Sequence, residues 1–371
     1  MTGRRITHEP FFHLVKRDKL PLWQGILIRA GAIVAALVVC LLFSRWVVGV
    51  TPNVVLTSFL KGNFGTDRKI FAMLAELSKL LLIALALTPA FRMRFWNIGA
   101  EGQVLAGALA AVSCSYYLGG KIPELLLLAI MLAAAIVAGA LWAIIPAIFK
   151  AIWNANETLF TLMMNYIATC FVSYMLASQF ASESNAMSKL KFGRLNFLPN
   201  FEFGKEVTVI VFAVIIMVLM YIYLRYSKHG YEISVVGESE NTARYIGINI
   251  KKVIIRTMSI SGALCGLVGF LIVAIFDNMI STGTAGGMGF TAIMVSWLGK
   301  FNPFIMSAVA FLISFLNRGA SQLVSDLSRK GVSPDMPSVI VGIILFFIVG
   351  CEFFINYKIK FKSSKKGGIA K

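Results

Sequence analysis

Long apolar runs separated by short polar gaps fill most of the chain. Because one membrane crossing needs about 20 apolar residues, the pattern predicts about ten membrane segments. The fold class is therefore predicted to be all-α, a polytopic transmembrane helical bundle. The segments are Ile26 to Val48, Phe71 to Phe91, Asn97 to Leu118, Pro123 to Phe149, Leu159 to Ser178, Val207 to Leu224, Met258 to Phe276, Phe290 to Leu298, Pro303 to Val324, and Pro337 to Phe354.

The eighth segment, Phe290 to Leu298, is too short to cross a bilayer alone. It follows the glycine-rich stretch Gly283 to Gly289. Irregular backbone is tolerated at membrane depth only where protein or a water-filled cavity covers it. We therefore expect a half-helix here, and whether it spans fully stays open.

Composition agrees with a membrane protein and excludes a water-soluble fold. Of 371 residues, 58% are hydrophobic and 14% are charged, and the mean hydropathy is +0.80. Soluble domains carry roughly 25% charged residues. The 35 Lys and Arg against 17 Asp and Glu would fit nucleic acid only if they gathered on one solvated face. They lie instead in the gaps between apolar runs, so no nucleic-acid partner is expected.

The distribution of basic residues predicts the orientation. With alternating sides and the N-terminus inside, the predicted inside segments hold 21 Lys and Arg and the predicted outside segments hold 11. Both termini are therefore predicted to be cytoplasmic. The first apolar run is too long for a cleavable signal peptide, and we expect it to be retained. The predicted organisation is a cytoplasmic N-terminal segment (1–25), a transmembrane domain (26–356) and a basic cytoplasmic tail (357–371).

Residues 225–256 form the longest predicted cytoplasmic loop. Within it, Ser239 is a plausible N-cap for a short helix from Glu240 to Ile246 that Gly247 closes. A short amphipathic helix beneath the membrane is typical of a docking element. An ordinary solvated loop helix is the alternative.

Placing polar residues inside apolar membrane segments costs free energy, so such residues usually have a function. Asn97 and Glu101 are one helical turn apart, which predicts a common face near the cytoplasmic end of the third segment. Such a face can hydrogen-bond a polyhydroxylated solute or seal an inner gate. The alternative is a helix start, with Asn97 as cap and Glu101 complementing the helix dipole.

A second polar stripe lies on the fifth segment. Glu157, Thr161 and Asn165 follow at intervals of four and so share one side, while Asn156 is a candidate cap. Asn165 lies deeper, and its amide needs a partner from another helix, from water or from solute. In the seventh segment, Ser261 to Gly269 has small residues at spacings that allow close helix approach.

The sequence lacks motifs for ATP hydrolysis and for enzymatic catalysis. It has no G-x-x-x-x-G-K-[ST] sequence to hold nucleotide phosphates, so any ATP must be hydrolysed by another chain. Its five cysteines are isolated and its three histidines lie in polar segments, which supports neither a metal site nor a catalytic constellation. We therefore expect a transport subunit without cofactors of its own.

Five ordered motifs resemble those of the permease family of ABC importers for nucleosides and simple sugars, in the group that works with binding lipoproteins of the basic-membrane-protein type. They are FWNIGAEGQVLAGALAA (Phe95 to Ala111), ANETLFTLMMNYIA (Ala155 to Ala168), VVGESENTARYIGI (Val235 to Ile248), SGALCGLVG (Ser261 to Gly269) and GMGFTAIMVSWLGKFNP (Gly287 to Pro303). The resemblance covers most of residues 71–349.

The resemblance implies roles for two sets of residues. The substrate pathway or gate is expected at Trp96, Asn97, Glu101, Gln103 and Asn165. ATPase coupling is expected at Gly237, Glu238, Asn241, Ala243, Arg244 and Gly247. Trp96 stands where many relatives have Phe or Leu, which leaves nucleosides, sugars and flavins all open as solutes.

The implied partners are an ABC ATPase subunit that binds ATP and Mg, a second permease, commonly a dissimilar homologue, and an extracytoplasmic binding lipoprotein. The implied location is a bacterial cytoplasmic membrane, in contact with lipid. The alternative function is an ion-coupled secondary transporter, which would recruit Glu76, Glu101 and Glu157. A non-transporting scaffold would require neither the polar stripe nor the loop helix.

Overall fold

The computed structural model describes residues 12–16, 21–49, 51–180, 186–187, 203–327 and 336–361. The helices are α1 Leu22–Val48, α2 Pro52–Phe64, α3 Asp67–Arg92, α4 Ala100–Leu118, α5 Glu124–Trp153, α6 Glu157–Ser178, α7 Gly204–Tyr226, α8 Lys228–Glu238, α9 Glu240–Tyr245, α10 Ile250–Leu271, α11 Met288–Leu298, α12 Pro303–Asp326 and α13 Met336–Asn356. Four short strands, β1 Phe12–Lys16, β2 Ala186–Met187, β3 Ile280–Ser281 and β4 Tyr357–Phe361, form two antiparallel pairs, β1 with β4 and β2 with β3. Parts of the predicted terminal segments, including residues 362–371, lie outside the described residues.

Six described helices have the length and apolar composition to cross a membrane. They are Asp67–Arg92, Glu124–Trp153, Glu157–Ser178, Gly204–Tyr226, Ile250–Asp277 and Pro303–Asp326. The prediction of an all-α, multi-pass helical protein is confirmed at this level. The fifth of these continues α10 into a π-helical turn at Ile272–Asp277, which the apolar pattern alone did not reveal.

The chain divides into two compact units. The first comprises residues 1–62 and 316–371, in which α1 packs against α13 and Ser58 Oγ donates to Asp326 Oδ2 at 2.7 Å. The β1–β4 pair joins Phe12 to Phe361 and Lys16 to Tyr357 in this unit. The described ends of the chain therefore lie side by side.

The second unit comprises residues 63–315 and has α10 at its centre, packed against α3, α4 and α5. A Cβ built on Gly262 would lie 2.3 Å from the carbonyl oxygen of Gly139, and one on Gly266 would lie 2.1 Å from that of Ala135. No side chain fits between α10 and α5 at these points. The predicted close approach of this segment is confirmed.

Helix α11 has 11 residues, which makes it about 16 Å long, roughly half the thickness of the hydrocarbon core. It begins after Gly287, whose φ of +73° is the left-handed conformation that glycine adopts without strain. The prediction of a short helix after a glycine-rich stretch is confirmed.

Candidate substrate pathway and coupling segment

Helices α3 and α4 are joined by a tight turn, residues 93–99, that determines where several predicted site residues lie. Arg94 in this turn has a φ of +61°, a left-handed conformation that few non-glycine residues adopt. The prediction that Asn97 and Glu101 share a helical face is wrong, because α4 begins only at Ala100. Asn97 lies in the turn, where its Oδ1 accepts a hydrogen bond from the Gly99 amide at 3.0 Å. A local side-chain bond of this kind favours a turn over a helix.

A buried amide pair fixes the turn to the bundle. Gln103 Nε2 donates to Asn97 Oδ1 at 3.1 Å, and Asn97 Nδ2 donates to Ser261 Oγ on α10 at 3.3 Å. Both amide side chains are fully buried. Buried amides need such partners, since an unsatisfied polar group costs about 1–3 kcal/mol. The network therefore joins α4, the turn and α10.

Helix α6 supports the same turn from another side. Asn165 Oδ1 accepts from the Gly102 amide at 2.8 Å, and its Nδ2 donates to the Ile98 carbonyl at 2.9 Å. One helical turn earlier, Thr161 Oγ1 accepts from the Ile98 amide at 3.1 Å. The expectation that Asn165 needs a partner from another element is confirmed, and the partner is backbone of the α3–α4 turn and of α4.

The Glu101 carboxylate holds the start of the half-helix α11. Its Oε1 accepts from the Gly287 amide at 2.7 Å, and its Oε2 accepts from the Gly289 amide at 2.8 Å. The first amides of a helix lack intrahelical partners and carry the positive end of the helix dipole. Glu101 therefore complements the dipole of α11, a helix 186 residues away in sequence.

An aromatic cluster lies where α11 meets the α3–α4 turn. The indole rings of Trp96 and Trp297 stack with centroids 5.0 Å apart, and each residue is nearly half exposed, at 43% and 45%. The buried Phe91 ring contacts both indoles edge-on at 6.2 Å. Phe301 packs against Trp297 at 5.5 Å. The result is a rigid, partly exposed aromatic surface.

The predicted loop helix is confirmed as α9, whose N-cap Ser239 accepts from the Thr242 amide at 3.2 Å. A further helix, α8, precedes it, capped by Ser227 at the Gly230 amide. Most of the residues predicted to couple to an ATPase are exposed here, but Gly237 and Ala243 are buried. The exposed ones are Glu238, Asn241, Arg244 and Gly247.

Gly237 is buried because α8 packs directly against the end of α3. A Cβ on Gly237 would lie 2.0 Å from the carbonyl oxygen of Arg92 and 3.3 Å from Met93 Cα. Only glycine permits this approach of two backbones. The segment formed by α8 and α9 is thus in backbone contact with the turn that carries Trp96 and Asn97.

His229 fixes the other end of α8. Its Nε2 lies 3.3 Å from Thr257 Oγ1 on α10, and its Nδ1 is hydrogen-bonded to the Tyr223 hydroxyl. Burial and, secondarily, the nearby Arg256 cation lower the pKa of His229 below 6.5, while Glu232 opposes the shift. The neutral imidazole suits this site, since it can donate from one ring nitrogen and accept at the other.

Sequence reasoning missed several residues at this site. Trp297 was part of a quoted motif, but nothing in its spacing showed that it stacks on Trp96. The Gly287 and Gly289 amides were also missed, because a backbone N–H that donates to a distant side chain cannot be identified from residue types. Tyr245 on α9, which is 92% exposed, was missed as well, although an aromatic residue in a polar loop could have indicated it.

Comparison with known proteins identifies a family. A profile of the family described as the branched-chain amino acid transport system / permease component matches residues 69–349. The chain is 31% identical to the guanosine ABC transporter permease protein NupP of Bacillus subtilis over 314 residues, 82% of this chain and 87% of that protein. It is 29% identical to the nucleoside ABC transporter permease protein NupB of Lactococcus lactis over 295 residues, covering 76% and 80% of the two chains. It is 28% identical to the glucose ABC transporter permease protein TsgB13 of Haloferax volcanii over 303 residues, 78% of each.

Proposed function

The chain belongs to this permease family, and from that premise we propose that it is the membrane-spanning subunit of an ABC importer for a nucleoside or a related small polar solute. It is a transport component and not an enzyme. The nucleoside and glucose transporters among its relatives define the solute class. ATP and Mg are bound by a partner ATPase.

The substrate pathway runs along the surface formed by Trp96 and the exposed side of α11. Support comes from the half-exposed Trp96–Trp297 stack, which gives a partly exposed aromatic surface. Asn97, Gln103 and Asn165 are buried and bonded to one another or to backbone, so they shape this surface. In this account, they hold the wall of the pathway and set its geometry without contacting solute in the described state.

The observation that carries the proposal is the backbone contact between Gly237 of α8 and Arg92 of α3. It links the cytoplasmic loop to the α3–α4 turn without a flexible side chain between them. Force applied by an ATPase at α8 and α9 would move the turn and, with it, Trp96. Nucleotide binding then biases a two-state equilibrium between inward- and outward-facing pathways.

The exposed coupling surface consists of Glu238, Asn241, Arg244 and Gly247, to which the structure adds Tyr245 as an exposed aromatic. Tyrosine and arginine commonly dominate the energetics of protein interfaces. Gly237 and Ala243 belong to the same segment but act from beneath, by setting how α8 and α9 pack on the bundle. We assign this surface to the ATPase subunit.

The finer topology is also part of the proposal. The chain crosses the membrane in about ten segments, with residues 225–256 and both termini on the cytoplasmic side of a bacterial cytoplasmic membrane. The pairing of β1 with β4 supports a common side for the two ends. The excess of Lys and Arg in the inside segments supports the cytoplasmic assignment. The transmembrane domain is residues 26–356, flanked by segments 1–25 and 357–371.

The complete importer contains a second permease, commonly a dissimilar homologue, the ATPase and an extracytoplasmic binding lipoprotein.

The test is transport by the reconstituted complex carrying Arg244→Glu or Gly247→Trp. Each change should abolish uptake while the binding lipoprotein still captures solute. Lys121→Glu, an exposed charge reversal on a predicted outside loop, is the control and should transport normally. Normal uptake by the two loop variants would remove the coupling assignment.

A further inference from the structure

A cavity of about 320 Å³ lies at the point where α3, α7 and α11 end. Three cations line it: Arg92 closes α3, Arg225 is in the last turn of α7, and Lys300 follows α11 by two residues. Asn302 completes the polar lining. This cavity adjoins the aromatic surface formed by Trp96 and Trp297, because Phe301 lines the cavity and packs against Trp297, but neither tryptophan lines the cavity.

The charges in this cavity are not balanced by protein carboxylates. Its lining contains no Asp or Glu, and no ion pair joins these three cations to an acid in the part of the chain that the structure describes. Among the described residues, Arg92 donates to the Leu224 carbonyl at 3.5 Å, and Arg225 donates to the Tyr221 hydroxyl at 3.0 Å. Most hydrogen-bonding capacity of the two guanidinium groups therefore remains available.

The C-terminal end of a helix dipole favours a nearby cation, and this accounts for one basic residue at each of the three helix ends. It does not account for their convergence on one cavity, where three like charges repel one another although Arg225 and Lys300 are exposed. An anion among them would relieve the repulsion. Two guanidinium groups and an ammonium are the groups that proteins use to bind phosphate.

We propose that the Arg92–Arg225–Lys300 cavity is a binding site for a phosphoryl group, supplied by an anionic phospholipid headgroup or by free phosphate. The rim has side chains suited to the lipid interface, since Tyr226 and Phe304 are strongly exposed and Phe304 packs edge-on against Tyr221. Basic pockets between helices on the cytoplasmic side bind anionic lipid headgroups. A bound phosphoryl group would tie together the ends of α3, α7 and α11.

The test uses the purified transporter complex in nanodiscs of phosphatidylcholine with or without phosphatidylglycerol. Native mass spectrometry measures retained phosphatidylglycerol, and thermal unfolding measures the response to inorganic phosphate. The test variant combines Arg225→Gln with Lys300→Asn, because Lys300 has a φ of +50° and asparagine tolerates that conformation. We expect about fivefold weaker binding for each charge removed, hence about 25-fold for both.

Two further variants make the result decisive. Arg225→Lys with Lys300→Arg keeps both charges and should retain binding, which separates charge from folding. Lys252→Gln removes an exposed cation outside the cavity and should retain binding as well. Selective retention of phosphatidylglycerol supports the lipid source, and a phosphate-dependent stabilisation in phosphatidylcholine alone supports the free anion. Equal binding by the wild type and the charge-removing double variant overturns the site, as does an equal loss in Lys252→Gln.

Discussion

Replacing Glu101 by Gln tests whether this side chain organises the half-helix α11. The carboxylate accepts one hydrogen bond from Gly287 and one from Gly289. Gln keeps one acceptor oxygen, but it places an NH₂ donor where the second oxygen was, opposite another N–H donor. Hydrogen bonds to charged groups contribute about 1.5–3 kcal/mol each, and the charge also complements the helix dipole. The start of α11 should therefore open far more often.

Hydrogen exchange of the Gly287 and Gly289 amides reports this opening directly. Losing about 1.5–3 kcal/mol at an amide should accelerate its exchange by about 10- to 100-fold. Uptake should fall in parallel, because α11 carries Trp297 into the stack with Trp96. The complex should still assemble, and the more severe Glu101→Ala variant should behave in the same way.

The control is Glu124→Gln, which changes an exposed first-turn glutamate at the start of α5. It should leave both the exchange of the α11 amides and uptake unchanged. Unchanged exchange in Glu101→Gln would refute the role assigned to the two hydrogen bonds. Loss of assembly would instead make Glu101 a requirement for folding.

Three further changes test other contacts. Gly237→Ala places a methyl group 2.0 Å from the Arg92 carbonyl oxygen, so uptake should fall while ATP hydrolysis by the complex continues. The control, Ser234→Ala on the same helix, should transport normally. Unimpaired uptake in Gly237→Ala would contradict the coupling route. Tyr245→Ala should weaken ATPase association by about 30-fold, measured by surface plasmon resonance, if it costs about 2 kcal/mol as interface hot spots do. Tyr174→Ala, which removes an exposed tyrosine of α6, should not. The folded-state pKa of His229 is lowered, so its contribution to the free energy of unfolding should be fully present above pH 6.5. That contribution should be lost as the pH falls below 6.5. In His229→Gln this loss should be smaller in thermal-unfolding scans, and an unchanged pH dependence would show that His229 is not its cause.

The positions of the long helices were predictable from apolar runs, but not all of their boundaries, since α10 begins at Ile250 and not at the predicted Met258. The segment predicted from Leu159 to Ser178 is Glu157–Ser178, with Asn156 as its cap at the Leu159 amide. The loop helix and its Ser239 cap were also predictable, since capping is local chemistry. The start of α4 was not, because the hydrogen bond from Gly99 to Asn97 competes with helix formation inside an apolar run.

The sequence marked several polar residues that need partners, but it did not reveal their contacts. Asn97, Gln103 and Asn165 stood out because polar side chains inside apolar segments need partners. Their partners come from α10 and from backbone of the α3–α4 turn and α4, which only the packing reveals. The same is true of Glu101 and the α11 amides. Helix α8 was missed because its sequence, KHGYEISVVGE, contains two glycines and few apolar residues.

The energy source of transport is the most direct test of the proposed function. The measurement is uptake of labelled guanosine into proteoliposomes that contain this chain and the proposed partner subunits, which are a second permease, the ATPase and the binding lipoprotein. Uptake should require ATP and the ATPase, and it should persist when a protonophore and a sodium ionophore abolish the ion gradients. Uptake driven by an ion gradient without the ATPase would contradict the account and identify an ion-coupled transporter.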